Sequence, residues 1–134
     1  MLLGDPGQGK TVAAAWALSR CAGRYIRANE LCELRASRWR GRDRYQKHLT
    51  TELLVIDELG TEADISLAAP TLQDVIDARQ RLPRRTLLLG NDLDLVARYD
   101  ARTLDRLGIE GDDHGIAILR TLRGPSLRVG ARAR

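Results

Sequence analysis

Gly4-Asp5-Pro6-Gly7-Gln8-Gly9-Lys10-Thr11 satisfies the pattern Gly-x4-Gly-Lys-Ser/Thr at every required position. Glycines in such a loop let consecutive backbone N–H groups curl around a phosphate. Lys10 adds a cation for the β- and γ-phosphates, and Thr11 offers a hydroxyl to Mg²⁺. The run Val12 to Leu18 has the alanine content of a helix, whose amino end would add partial positive charge beneath the phosphates. A chance glycine-rich turn is not expected to meet all of these positions at once, so the octet sets the frame for the rest of the chain.

Two later stretches supply the complementary chemistry. Leu53-Leu54-Val55-Ile56-Asp57-Glu58 is four apolar residues followed by two acids, the pattern of a strand buried on both faces that delivers carboxylates at its carboxyl end. In this Walker B reading Asp57 holds Mg²⁺, directly or through water, and Glu58 polarises the water that attacks the γ-phosphate. Thr86-Leu87-Leu88-Leu89-Gly90 is another short apolar strand, and Asn91 at its end can orient water or the γ-phosphate.

The remaining elements fall between these markers. Only Met1, Leu2 and Leu3 precede the loop, fewer than the roughly five residues of an ordinary strand, which points to residues missing upstream. Gly23 is expected to stop the first helix, Tyr25 to Ala28 reads as an edge strand, and Asn29 can cap a helix running from Glu30 through a basic segment to about His48. Gly60 to Ala69 reads as a polar connection before a helix opened by Pro70 and Thr71. Leu72, Val75 and Ile76 share its inner face, Asp77 and Arg81 its outer one, and Pro83 ends it. A helical pattern over 93–107, an acidic turn over 108–115, a strand at Ile116 to Leu119 and a basic, frayed end complete the chain. His48 and His114, lacking visible partners, are expected to face solvent.

At 134 residues the chain suits one domain, and 43% hydrophobic with 30% charged residues describes a soluble globular protein. No apolar run approaches the roughly 18 residues of a membrane helix, and no signal peptide is apparent where Met1-Leu2-Leu3 runs into the loop, so a cytoplasmic location is expected. Cys21 and Cys32 lack metal-type spacing and read as reduced, part-buried thiols. The net charge of +4 is unevenly spread: residues 20–48 carry nine arginines and lysines against Glu30, Glu33 and Asp43. Within that stretch Arg35, Arg38, Trp39, Arg40, Arg42, Arg44 and Lys47 mix cations with an aromatic, a combination suited to backbone phosphates and base stacking. A merely solvated face is the competing reading.

In this order the motifs resemble the AAA+ ATPases of the DnaC/IstB group, helicase loaders and transposition helper ATPases. The likeness runs from Gly4 to Arg128. It is carried by the loop at 4–11, Leu-Val-Ile-Asp-Glu-Leu-Gly at 54–60, the strand ending in Asn91, Arg-Thr-Leu-Asp-Arg-Leu at 102–107 and Gly-Pro-Ser-Leu-Arg at 124–128. The resemblance implies an α/β three-layer P-loop fold with a parallel sheet of about five strands in the order 5-1-4-3-2 and little or no lid. It makes Asn91 the sensor 1 residue, Arg106 an arginine finger reaching a neighbouring copy in a homo-oligomer, and Arg128 the sensor 2 arginine. Leu127 stands where the family has an aromatic, and Gly90-Asn91 replaces the commoner Ser-Asn. The family's amino-terminal partner-gripping region is not expected within these residues, which open at the phosphate loop.

The implied function is ATP hydrolysis with Mg²⁺, acting on DNA, single-stranded in the leading reading, with a replicative helicase as partner. A transposase is the partner in the alternative of a transposition helper. Two further readings stand beside these: a small P-loop kinase using Arg102 and Arg106 as a lid, and a truncated DNA-binding remnant without ATPase activity.

Overall fold

The computed structural model describes residues 1–37, 39, 41–91, 99, 101, 103 and 120–122. A short strand β1 (Leu2–Leu3) leads into the glycine loop and helix α1 (Lys10–Arg20). Next come β2 (Gly23–Arg27), α2 (Ala28–Ala36), α3 (Arg42–Thr50) and β3 (Leu53–Leu59), then α4 (Ile65–Arg81), β4 (Arg85–Gly90) and β5 (Arg120–Thr121). All five strands pair in parallel in the order β2-β3-β4-β1-β5. The strand ending before Asn91 therefore lies between the loop strand and the strand carrying Asp57, as the resemblance implies. The expected strand at Ile116 to Leu119 lies outside the described residues; the paired residues are Arg120 and Thr121.

Strand parity builds the three layers. Leu54 and Ile56 join the cluster formed by Leu31 and Leu34 of α2, Tyr45 and Leu49 of α3, and Leu72, Val75 and Ile76 of α4. Leu53 and Val55 point the other way, into a smaller cluster with Ala14 of α1 and Leu89 of β4. Leu54, Val55 and Ile56 are 0% exposed, and full burial of each such side chain contributes about 1.5–3 kcal/mol. A continuous apolar run is what a central parallel strand covered on both faces requires.

Four local expectations need correction. Helix α1 ends at Arg20, and Gly23 opens β2 instead of stopping the helix. The helix expected from Glu30 to His48 is two helices. Ser37 closes α2 by donating its hydroxyl to the Leu34 carbonyl at 3.0 Å, and the chain then turns back at Gly41. A Cβ on Gly41 would stand 1.9 Å from Ser37 Oγ and 2.6 Å from the Leu34 carbonyl oxygen, so only glycine lets the turn pack this closely. Asn29 sits inside α2, where its amide donates to Glu33 at 2.8 Å and accepts from the Ala63 N–H at 3.1 Å. Finally, α4 starts at Ile65 and not at Pro70. Asp64 caps it, accepting from the Ser66 N–H at 2.9 Å and the Ser66 hydroxyl at 2.6 Å.

One buried cation closes the sheet at its amino ends. Arg79 of α4 is 1% exposed. Its Nε donates to the Thr86 hydroxyl at 2.8 Å, and its Nη1 to the carbonyls of His48, Leu49 and Thr51 at 2.9, 3.0 and 2.9 Å. Its Nη2 reaches the carbonyls of Glu52 and Arg85. The guanidinium thus collects the carboxyl end of α3 and the starts of β3 and β4, and burial beside Arg84 lowers its pKa to about 10. His48, expected in solvent, is 8% exposed. It is drawn inward because its neighbours along α3, Tyr45 and Leu49, pack into the core, and burial pushes its imidazole below the ordinary histidine value. His114 lies outside the described residues.

Candidate functional site

Between β1 and α1 the loop turns through glycines whose φ angles are 89° at Gly7 and 84° at Gly9. A residue with a side chain would lose roughly 1–2 kcal/mol in that conformation. Asp5 and Gln8 brace the loop across its width: the Asp5 N–H donates to Gln8 Oε1 at 3.0 Å, and Gln8 Nε2 reaches Asp5 Oδ2 at 3.5 Å. Lys10, 6% exposed, folds back over the loop and donates from Nζ to the carbonyls of Gly4 at 2.5 Å and Asp5 at 2.9 Å. Gly9 is the residue at the amino end of α1 and no side chain caps it, so the first N–H groups of the helix open toward the loop.

Strand β3 runs on past the apolar residues to Leu59, and it is irregular where the acids lie. Ile56 pairs with Leu88 while Leu59 pairs with Gly90, so β3 carries one residue more than β4 over this interval, a bulge. Glu58 takes the left-handed conformation, φ 59°, which turns its carboxylate outward while Asp57 stays buried at 6% exposure. Parity sends Asp57 to the α1 side of the sheet, and the Thr11 hydroxyl donates to Asp57 Oδ2 at 3.1 Å. The Glu58 N–H donates to Asp57 Oδ1 at 2.7 Å, and Arg27 Nε lies 3.6 Å from Glu58 Oε2.

These groups meet in one cleft of about 280 Å³ at the carboxyl ends of the strands, lined by the loop with Thr11, Asp57, Glu58 and Asn91. Open parallel sheets place ligands at that end. The donors fit Mg²⁺ held together with a nucleotide: the Thr11 hydroxyl and the Asp57 carboxylate are hard oxygens already in contact, and Mg²⁺ takes one or two protein ligands plus phosphate oxygens. Among the described residues no group of three or more His, Cys, Asp or Glu forms an all-protein metal cage, and none of their helices is long and apolar enough to cross a membrane.

Two side chains near the site were not singled out by the sequence. The Tyr25 hydroxyl donates to Asp57 Oδ2 at 2.9 Å, and burial, followed by the Asp57 carboxylate, pushes its phenol above the ordinary value. Glu62, 7% exposed, accepts from the Gly60 N–H at 2.9 Å and from the buried Tyr99 hydroxyl at 2.6 Å. Burial and Glu62 together push the Tyr99 phenol upward. The signal for Tyr25 was the β2–β3 register, in which Tyr25 lies beside Val55 and Arg27 beside Asp57. No single-residue pattern reveals it.

The basic stretch is divided. Arg35 is bound to Asp74 of α4, with Nε at 2.7 Å and Nη2 at 2.6 Å from the same oxygen, and Arg44 approaches Glu30 at 3.4 Å. Arg42, Lys47 and Trp39 are exposed, Trp39 at 90%. Arg38, Arg40, Arg102, Arg106 and Arg128 lie outside the described residues.

No family model and no curated protein sequence matches the chain. Solved structures do. The DnaC helicase loader aligns with a TM-score of 0.74 at 18% identity, covering 91% of this chain and 76% of that one. A DNA replication initiation factor aligns with a TM-score of 0.68 at 16% identity over 90% of this chain. The replication initiator DnaA bound to AMPPCP and single-stranded DNA aligns with a TM-score of 0.68 at 15% identity over 93% of this chain. The chain spans 38% of the length of the initiation factor and 40% of that of DnaA. At these identities the likeness concerns the fold alone.

Proposed function

We propose that the chain binds and hydrolyses ATP as the nucleotide-binding part of a DnaC/IstB-type AAA+ protein that acts on DNA, with helicase loading as its role. The convergence of the loop, Thr11, Asp57, Glu58 and Asn91 on one cleft carries this reading. The fold shared with the DnaC helicase loader and with nucleotide- and DNA-bound DnaA supports it. Within the cleft the loop amides and Lys10 bind the phosphates, Thr11 and Asp57 are the residues to hold Mg²⁺, and Glu58 with Asn91 aligns the attacking water. Mg²⁺, when bound, supplies charge neutralisation on the β- and γ-phosphates.

In the same proposal Arg106 acts as a finger toward a neighbouring copy's γ-phosphate, worth a factor of about 10³–10⁵ in rate, and Arg128 senses the bound nucleotide. Turnover then depends on assembly of copies on DNA. Exposed Trp39, Arg42 and Lys47, with Arg38 and Arg40, are the candidate DNA contacts, since Arg35 and Arg44 already have acidic partners.

The test is a phosphate-release assay with and without single-stranded DNA, run beside nucleotide binding. Lys10→Ala should lose nucleotide binding. Glu58→Gln should bind ATP and lose turnover, and wild-type turnover in that variant would remove Glu58 from the chemistry. Absence of DNA-stimulated hydrolysis in the unsubstituted protein would leave the remnant reading in place, and phosphate transfer to a nucleoside would favour the kinase.

A further inference from the structure

The Asp57 carboxylate is held from three directions. Its Oδ1 accepts the N–H of Glu58 at 2.7 Å, and its Oδ2 accepts both the Thr11 hydroxyl at 3.1 Å and the Tyr25 hydroxyl at 2.9 Å. The first donor belongs to the strand itself and the second to α1. Tyr25 comes from β2, the neighbouring edge strand, and nothing in the phosphate-loop chemistry calls for it.

The fold makes the reach natural. In the parallel β2–β3 register Tyr25 lies beside Val55, so it shares the face on which Val55 and Asp57 point toward α1. Ile26 takes the opposite face and is 1% exposed, whereas Tyr25 is 42% exposed. A half-exposed phenol at a sheet edge has water available as a partner, yet here its hydroxyl lies on a buried carboxylate that Thr11 also touches. A carboxylate oxygen has two lone-pair directions in its plane. With the Thr11 and Tyr25 hydroxyls both on Oδ2 and an amide on Oδ1, the Asp57 side chain is fixed about its last torsion, and one Oδ1 direction is left for a further ligand.

We propose that Tyr25 is a positioning residue for the metal side of the site: its hydroxyl locks Asp57 in the rotamer that presents an oxygen to nucleotide-bound Mg²⁺. This rests on the nucleotide reading above. Tyr25 does not touch the phosphates, so its contribution is confined to Mg²⁺ dependence. Loss of an outer partner of a metal ligand costs about 10–100-fold in metal affinity, and the half-exposed edge position puts Tyr25 at the lower end, about tenfold.

Titration of a fluorescent ATP analogue first in EDTA and then against increasing MgCl₂ tests this, with Tyr25→Phe beside the unsubstituted protein and thermal melts of both. The expected result is equal affinity in EDTA, similar melting, and an Mg²⁺ half-point about tenfold higher in Tyr25→Phe. An unchanged Mg²⁺ half-point overturns the positioning role while leaving the nucleotide reading intact. Equal loss of affinity with and without Mg²⁺ also overturns it, because that is the mark of a damaged loop. If the unsubstituted protein binds no nucleotide under either condition, the nucleotide reading falls and this proposal falls with it.

Discussion

A buried arginine shows how far one side chain can organise this fold. Arg79 is fully enclosed with no carboxylate partner among the described residues, and its charge is compensated by one hydroxyl and a ring of main-chain carbonyls from α3, β3 and β4. Arginine suits the position because its planar fork presents five donors in fixed directions. Arg79→Met fills similar space but leaves several of these carbonyls without a donor, each at about 1–3 kcal/mol. The expected loss is at least about 3 kcal/mol, read as a lower urea midpoint. Arg79→Lys, with three donors on a flexible stem, should fall between the two. A midpoint unchanged in Arg79→Met would mean that the carbonyls find water instead.

At the level of elements, the Walker B strand combines rigidity with a local fault. Burial on both faces fixes Leu53 to Ile56, and the bulge then forces Glu58 into a left-handed conformation that favours glycine. Glu58→Gly should therefore stabilise the fold by roughly 1 kcal/mol while removing the hydrolysis proposed above. The ion pair it loses to Arg27 is half exposed and worth little. A thermal melt checks this, and a lower melting temperature would show that no strain resides at Glu58. The strand order was legible only through the resemblance carried by the glycine octet, the apolar run before Asp57 and the strand ending at Asn91, because these motifs alone bring strand ends together without ordering the strands. The split between α2 and α3 was not, since α2 closes at Ser37 and α3 opens at Gly41, whose close approach to Leu34 and Ser37 exists only after folding. Pro70 misled as a helix start because the Asp64 cap lies one and a half turns earlier. His48 looked solvated among cations, and its burial follows from which face of α3 the core selects.

Over the whole molecule the two ends of the sheet differ in character. The carboxyl ends gather the loop, the acids and Asn91. The amino ends carry more cations than acids: exposed Arg24, Lys47, Arg84 and Arg85 form no ion pair among the described residues, with exposed Glu52 beside Arg85 as an acid at the same end. Beyond burial, the fields of Arg24, Arg44 and Arg79 act to lower His48 against Glu30, which acts to raise it, and Arg84 adds to burial in lowering Arg79. Like charges crowded at one pole repel, and salt screens them over a Debye length of about 10 Å at 0.1 M. Raising NaCl from about 0.05 M to about 0.5 M should raise the melting temperature by a few degrees. A fall would mean that the ion pairs of Arg35 and Arg44 dominate the electrostatics.

Lys10 ties these scales together in a way that bears on how silent variants are designed. Its ammonium spans the loop and holds the Gly4 and Asp5 carbonyls at the exit of a strand only two residues long. The group expected to receive the phosphates is also an internal strut of the loop that presents them. Removing it changes the shape of the cradle as well as its charge, so an inert protein made that way is a poor control for the presence of a correctly formed but idle site. Glu58→Gln, which leaves the loop and its strut untouched, is the cleaner choice wherever the folded, nucleotide-loaded form itself is the object of study.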